Sequence, residues 1–416
     1  MLPRNTTLPQ DLVKQVIGQG PSSESDVFDK SIDDLSLGQK GSGMPIALTG
    51  AQIFDGWTLR SGVLVLDGDR IKEIADTVPA NATEVRLAGG FLVPGLIDLQ
   101  VNGGAGVMVS GQTTQSDLAA ICDAHARSGT TAMLPTLITD SPEATDRLIS
   151  TAIASKDVPG FLGLHLEGPH LDPRRKGAHD ASLIRAMTAK DLQQICGAAS
   201  MLPCLMVTLA PEATTAEQIR TLSAAGVIVS LGHSDCTHEQ ARCAIEAGAR
   251  CATHLFNAMS QIAGREPGLA GTVLTTDIAC GVIADGIHVH PSVIALALRA
   301  KTERVFLVSD AMAPAGTDQT SFDLGGRRIL RAGGRLTLED GTLAGADLTL
   351  PRAIQILVDQ VGVPLERALA MATRIPADVI GRADIGRFSA GARADCVHLS
   401  SDLDVKEVWR SGARFA

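Results

Sequence analysis

Short apolar runs recur through the middle of this chain, and most are followed by a stretch with helical periodicity. The runs lie near 92–102, 130–136, 160–167, 204–210, 227–233, 251–256, 280–285 and 304–310. Segments 115–128, 189–200, 215–225, 237–248 and 291–301 repeat apolar residues at three- and four-residue spacing, the mark of amphipathic helices. Continuous apolar strands alternating with such helices predict a parallel sheet covered by its crossovers. Eight strands within roughly 220 residues predict an α/β protein with a closed (β/α)8 barrel rather than an open doubly wound sheet. No Gly-x-Gly-x-x-Gly opens a helix after the first strand, which argues against a dinucleotide fold.

The two ends read differently. Residues 46–49, 62–67 and 70–74 alternate apolar and polar positions between Asp-Gly turns, as small β-strands do. Residues 394–399 and 405–409 repeat that character near the C-terminus. The expected organisation is therefore a β-sandwich with a first part at 45–90 and a second at 381–416, around a barrel at 91–380. Residues 1–44 are polar and read as a flexible tail without a chemical motif.

The strand ends carry the chemistry. Glu167 closes the run 163–167, His233 closes 227–233, His254 closes 251–254, His288 follows 281–285, and Asp310 closes 305–310. Catalytic residues of (β/α)8 barrels sit at the C-terminal ends of strands. Glu167, His233 and His254 supply two imidazoles and one carboxylate, a catalytic metal set that leaves a position open. One strand-end His alone is more often structural; three matching donors are not. Asp310 ends an apolar run and suits a general base that takes a proton from water and returns it to a leaving amine; the competing reading is a helix N-cap. Strand 1 ends in Gln100 and Asn102. Neutral amides are poor ligands, so one metal is expected rather than two.

After strand 3 comes a polar loop, 168–179. His179 lies far enough beyond Glu167 to fold back over the metal and polarise a carbonyl. Ala178 beside it is expected to touch substrate. Arg174, Arg175 and Lys176 read as a solvated basic face. Arg265 is a candidate for gripping an anion. His125, His165, His238, His290 and His398 read as structural or surface residues.

The net charge of −10 argues against nucleic acid as the main partner. No apolar run is long enough for a membrane span, and a cytoplasmic protein is expected. The eight Cys form no Cys-x-x-Cys pair, so a structural zinc or redox motif is not expected. Tyr is absent and aromatics make up only 3%, which leaves few stacking platforms.

Taken together, 94–98, 165–169, 231–234, 253–259, 264–268, 284–288 and 308–316 resemble the N-acetylglucosamine-6-phosphate deacetylases of the amidohydrolase superfamily. The resemblance spans about residues 46–416. It implies zinc on Glu167, His233 and His254; by their chemistry His and carboxylate donors also accept iron, manganese or cobalt. It implies Asp310 as base and then acid, and His179 on the acetyl carbonyl. It also implies phosphate contacts from Asn257, the Ala258 backbone, Arg265 and the segment Asp285, Gly286, Ile287 and His288. Leu343, Ala344 and Gly345 resemble a substrate-facing loop. A homodimer is implied, with Arg265 and His288 reaching the neighbouring subunit's site. His170 departs from the bulky neutral residue expected there. The alternatives are another deacylase, cyclic amidase or deaminase on this scaffold, and a barrel without activity. A deaminase would be expected to carry metal-binding His at the strand 1 tip, and an inactive barrel to have lost one of Glu167, His233, His254 and Asp310.

Overall fold

The computed structural model describes residues 44–416. Apart from Met44, the 1–44 extension lies outside the described residues. Eight parallel strands form one sheet: Leu96–Val101, Thr130–Ile138, Leu164–Glu167, Leu205–Leu209, Ile228–Leu231, Cys251–Ala252, Ala279–Val282 and Val305–Leu307. We call them strands 1 to 8. A parallel bridge between Val101 and Ala311 joins strand 1 to the end of strand 8. The Asn102 N–H donates to Ala311 O at 2.8 Å, and the Asp310 N–H donates to Gln100 O at 3.1 Å. These contacts close the barrel, as the alternation predicts.

The helices begin where the sequence supplies caps. Thr114, Thr188, Thr215 and Thr237 accept from a backbone N–H three residues on, and Asp117, Asp191, Gln218 and Gln240 reciprocate. Each capping box satisfies two donors that a helix start otherwise leaves open. The helices turn Leu118, Ile121, Ile195, Ile219 and Leu222 inward, and these join the strand residues in one continuous core. No helix among the described residues is long and apolar enough to cross a membrane.

Two sheets flank the barrel. Ile46–Thr49, Val63–Asp67, Arg70–Ala75 and Thr83–Arg86 form the smaller. The other joins Gln52–Phe54, Leu59–Arg60 and Phe91–Pro94 to Cys396–Leu399, Val405–Arg410 and Ala413–Arg414. Val93 faces Val397 across an antiparallel ladder, so segments from both termini share this sheet. Leu48, Ile53, Leu64, Leu66 and Trp409 pack a separate core there.

A further antiparallel sheet, Ser321–Leu324, Arg327–Ala332, Arg335–Thr337 and Leu343–Ala346, interrupts the chain just after strand 8. The strand pattern does not announce it. Its own small core of Leu324, Ile329, Leu336 and Ala344 packs with Met312, and a bridge from Ala346 to Ala311 ties it to the barrel mouth.

Candidate active site

The barrel turns its polar residues toward the C-terminal mouth. Glu167 is the last residue of strand 3, held in register between Ile138 and Thr208. His233, His254 and Asp310 lie just past strands 5, 6 and 8, with φ of +47°, +33° and +52°. A side-chain-bearing residue is rare in this left-handed region, at a cost of about 1 kcal/mol each. The reversal breaks the strand's alternation at the mouth.

The reversals converge. One oxygen of Glu167 and one nitrogen each of His233 and His254 lie within 4.8 Å of one another. Glu167 Oε1 is 3.2 Å from His233 Nε2 and 3.0 Å from His254 Nε2. The two Nε2 atoms are 3.1 Å apart. His233 Nδ1 donates to the Arg175 carbonyl at 2.8 Å, which leaves the neutral ring's lone pair on Nε2. Burial works against the Glu167 charge, yet the neighbouring His233 and His254 hold its carboxyl well below the ordinary range. Buried lone pairs aimed at one point repel unless a cation lies between them, so this donor set fits a divalent metal.

Asp310 stands beside the cluster, fixed through one oxygen. Asn102 Nδ2 donates to Asp310 Oδ1 at 2.6 Å, and Gln100 Nε2 donates to the same atom at 3.1 Å. Gln100 Nε2 is also 3.1 Å from Glu167 Oε1. Burial, then the charge of Glu167, pushes the Asp310 carboxyl up to about 6, against the pull of His254, His288 and Asn102. The position thus suits a proton carrier rather than an N-cap. The amides at the strand 1 tip serve these two carboxylates as donors.

His179 folds back from the loop. Its ring lies 4.3 Å from that of His233, and its Nε2 is 3.9 Å from Glu167 Oε2. Burial, reinforced by the neighbouring His233 imidazole, pushes it down to about 3, so it is neutral. The loop is braced by charge. Arg174 pairs with Asp172 at 2.6 Å and Asp235 at 3.1 Å, and Arg175 pairs with Asp235 at 2.6 Å. Arg174 is solvent-exposed, as expected, and both arginines also pair with carboxylates, Asp172 on the same loop and Asp235 on the next. The same loop supplies the carbonyl that orients His233.

A cavity of about 440 Å³ opens over the cluster. Ala178, His179, Asn257, Ala258, His288, Leu343 and Gly345 line it. Ala344 is fully buried in the small core behind that wall. Asp285, Gly286 and Ile287 do not line it. Asp285 instead accepts from the backbone N–H groups of Ile287 and His288, both at 2.8 Å, and meets His288 Nδ1 at 2.6 Å. It acts on the cavity only through His288. That histidine lines its own chain's cavity. Arg265 is exposed and outside this cavity. His170 is also outside it, its Nδ1 3.2 Å from the Arg185 carbonyl. Beneath the site, His165 is bonded to Thr208 and Leu99 inside the barrel and burial pushes it down to about 4.

The sequence reading missed Leu324 and Thr342, which reach the cavity from the inserted sheet, and Thr139, which contacts His179. A polar residue just past a long apolar strand was the available signal for Thr139.

The amidohydrolase family model matches residues 91–414. An N-acetylgalactosamine-6-phosphate deacetylase of Shewanella sp. (strain ANA-3) is 42% identical over 341 residues, covering 80% of this chain and 85% of that protein. An N-acetylglucosamine-6-phosphate deacetylase of Haemophilus influenzae is 34% identical over 359 residues, covering 83% of this chain and 93% of its own. The crystal structure of N-acetylglucosamine-6-phosphate deacetylase from Pasteurella multocida superposes with a TM-score of 0.85 at 36% identity, over 89% of this chain and 99% of that one. A family match over residues 91–414, joined to likeness in sequence over 80% and in fold over 89% of the chain, leaves one conclusion: the chain belongs to the amidohydrolase family.

Proposed function

We propose that this protein hydrolyses the acetamide of N-acetyl-D-glucosamine 6-phosphate, giving D-glucosamine 6-phosphate and acetate. The observation that carries the reading is the placement of Asp310 beside the Glu167, His233 and His254 donors in one cavity. The relatives' names supply the substrate class.

Members of this family are metal-dependent. A single divalent ion on Glu167, His233 and His254, zinc before iron, manganese or cobalt, supplies Lewis acidity when bound. The chain's own residues do the rest. Asp310 takes a proton from the attacking water through Oδ2, because Oδ1 already accepts from two amides. The water oxygen bonds to the acetyl carbon, and His179 donates to the oxygen on which charge builds. Asp310 then returns its proton to the nitrogen as the C–N bond breaks. The free amine and acetate leave.

Asn257, the Ala258 backbone and His288 suit the phosphate from within the chain. Arg265 of the partner subunit completes the grip in a homodimer. Its exposed loop carries Ile262, which is 57% exposed, an apolar side chain ready to be covered. A cytoplasmic site of action suits a phosphorylated substrate and a chain whose cysteines are all free thiols.

A second reading keeps the chemistry and changes the sugar. The 42% identical relative is named for the C4 epimer, N-acetylgalactosamine 6-phosphate. Acetate release across phosphorylated and free N-acetylhexosamines, with metal content measured on the same sample, tests both. Highest kcat/KM on a phosphorylated N-acetylhexosamine supports the reaction, and the preferred epimer selects the sugar. No acetate from any of them overturns it.

A further inference from the structure

Thr139 lies one residue beyond strand 2 and is buried. Its backbone N–H is 3.2 Å from His179 Nδ1, and its hydroxyl is 2.7 Å from the same nitrogen. An imidazole nitrogen can donate or accept, but a backbone N–H only donates. His179 Nδ1 therefore holds a lone pair, and the hydroxyl also donates to it. A ring with an accepting Nδ1 is neutral and carries its proton on Nε2. That is the nitrogen turned toward Glu167, 3.9 Å from its Oε2.

We infer that Thr139 is a positioning residue that fixes His179 as its Nε2–H tautomer, so that the ring enters the reaction only as a hydrogen-bond donor. With the proton on Nε2, this nitrogen offers no lone pair to a cation. The ring lies only 4.3 Å from that of His233, yet it stays out of the ligand set. Nor can Nε2 take a proton from water, which leaves that role to Asp310. The step to a donor aimed at the acetyl oxygen rests on the reaction proposed above; the tautomer does not.

The backbone next to Glu167 makes room for this contact. Gly168 has φ of +87°, and a Cβ there would stand 2.3 Å from Thr139 Oγ1. Any side chain at 168 would displace the hydroxyl or itself. Glycine thus meets two demands at once: a left-handed turn after the carboxylate and space for the threonine.

Ring-nitrogen NMR of the full-length, zinc-loaded protein with ¹⁵N-histidine tests the tautomer, the His179 signals being those lost in His179→Gln. We expect an unprotonated Nδ1 and a protonated Nε2. A protonated Nδ1 overturns the inference. Thr139→Val keeps the backbone donor and removes the hydroxyl, and Thr139→Ser keeps both. With one hydrogen bond lost, Val should lower kcat roughly tenfold with KM and metal content unchanged, and Ser should restore most of it. Equal kcat in wild type and Val, or no rescue by Ser, removes Thr139 from the mechanism. If wild type releases no acetate, the reaction falls and the NMR result still decides the tautomer.

Discussion

Asn102 holds Asp310 by one oxygen: Nδ2 donates to Oδ1 at 2.6 Å. Gln100 adds a second donor to that oxygen and reaches Glu167 Oε1 with the same nitrogen. Two neutral amides at the strand 1 tip thus set the spacing between a candidate metal ligand and the candidate base. They also leave Oδ2 as the oxygen free to carry a proton.

Asp310→Asn should therefore keep the cavity and the metal and lose the chemistry. The new amide cannot accept a proton, and its NH2 group would face two existing donors or the reacting water. Loss of general base catalysis is worth about 10² to 10⁴ in kcat. Steady-state kinetics and metal analysis of the variant test this. Turnover near wild type would move the proton to another group.

Gly345→Ala should damage both stability and turnover. Gly345 has φ of +64°, and a Cβ there would meet Met312 Cγ at 2.4 Å and the Asp310 carbonyl at 2.9 Å. The methyl group would press on the backbone that carries Asp310. Overpacking of this kind costs about 1–3 kcal/mol. Thermal unfolding should show a lower midpoint, and kcat should fall with metal retained. An unchanged kcat would mean that the inserted sheet yields instead of the strand 8 tip.

Arg265→Ala should act on the phosphate alone. A charge-assisted hydrogen bond contributes about 1.5–3 kcal/mol, so KM for the phosphorylated sugar should rise by about 10- to 100-fold. The free sugar should show little change. Equal effects on both substrates would show that Arg265 grips something else. Mixing Arg265→Ala with Asp310→Asn adds a test of the dimer: activity above the sum of the two variants requires arginine from one subunit and aspartate from the other.

Asp98 should make stability depend on pH. Burial, only partly offset by the Ser309 and Gln100 hydrogen bonds, pushes this carboxyl from 3.8 up to about 7. Its folded-state pKa lies above the unfolded one, so its contribution is full below about 3.8 and is lost as pH rises through about 7. The loss is about 4 kcal/mol at most. Asp98→Asn cannot ionise. Its melting temperature relative to wild type should therefore rise between about pH 5 and about pH 8. A constant gap would show that Asp98 keeps an ordinary pKa.

The barrel was readable because each strand is buried on both faces and runs apolar almost throughout, and because the helix caps are local in sequence. Glu167, His233, His254 and Asp310 stood out as polar residues ending such runs. Leu324 and Thr342 gave no such sign. Leu324 ends a short strand and Thr342 sits in the turn before another, in a sheet whose place over the mouth depends on a small separate core with Met312. The arginines at 174 and 175 looked free because their carboxylate at Asp235 is some sixty positions away in sequence.

From the sequence alone came the scaffold, the donor types and the strand ends that carry them, since hydrophobic period and residue chemistry are local properties. Only the tertiary structure decided that Thr139 meets His179, that His288 faces its own chain's cavity, and that the strand 1 amides occupy one oxygen of Asp310. Those are contacts between residues distant in sequence. They depend on barrel closure and on the direction each chain takes after leaving its strand, and no periodicity encodes either.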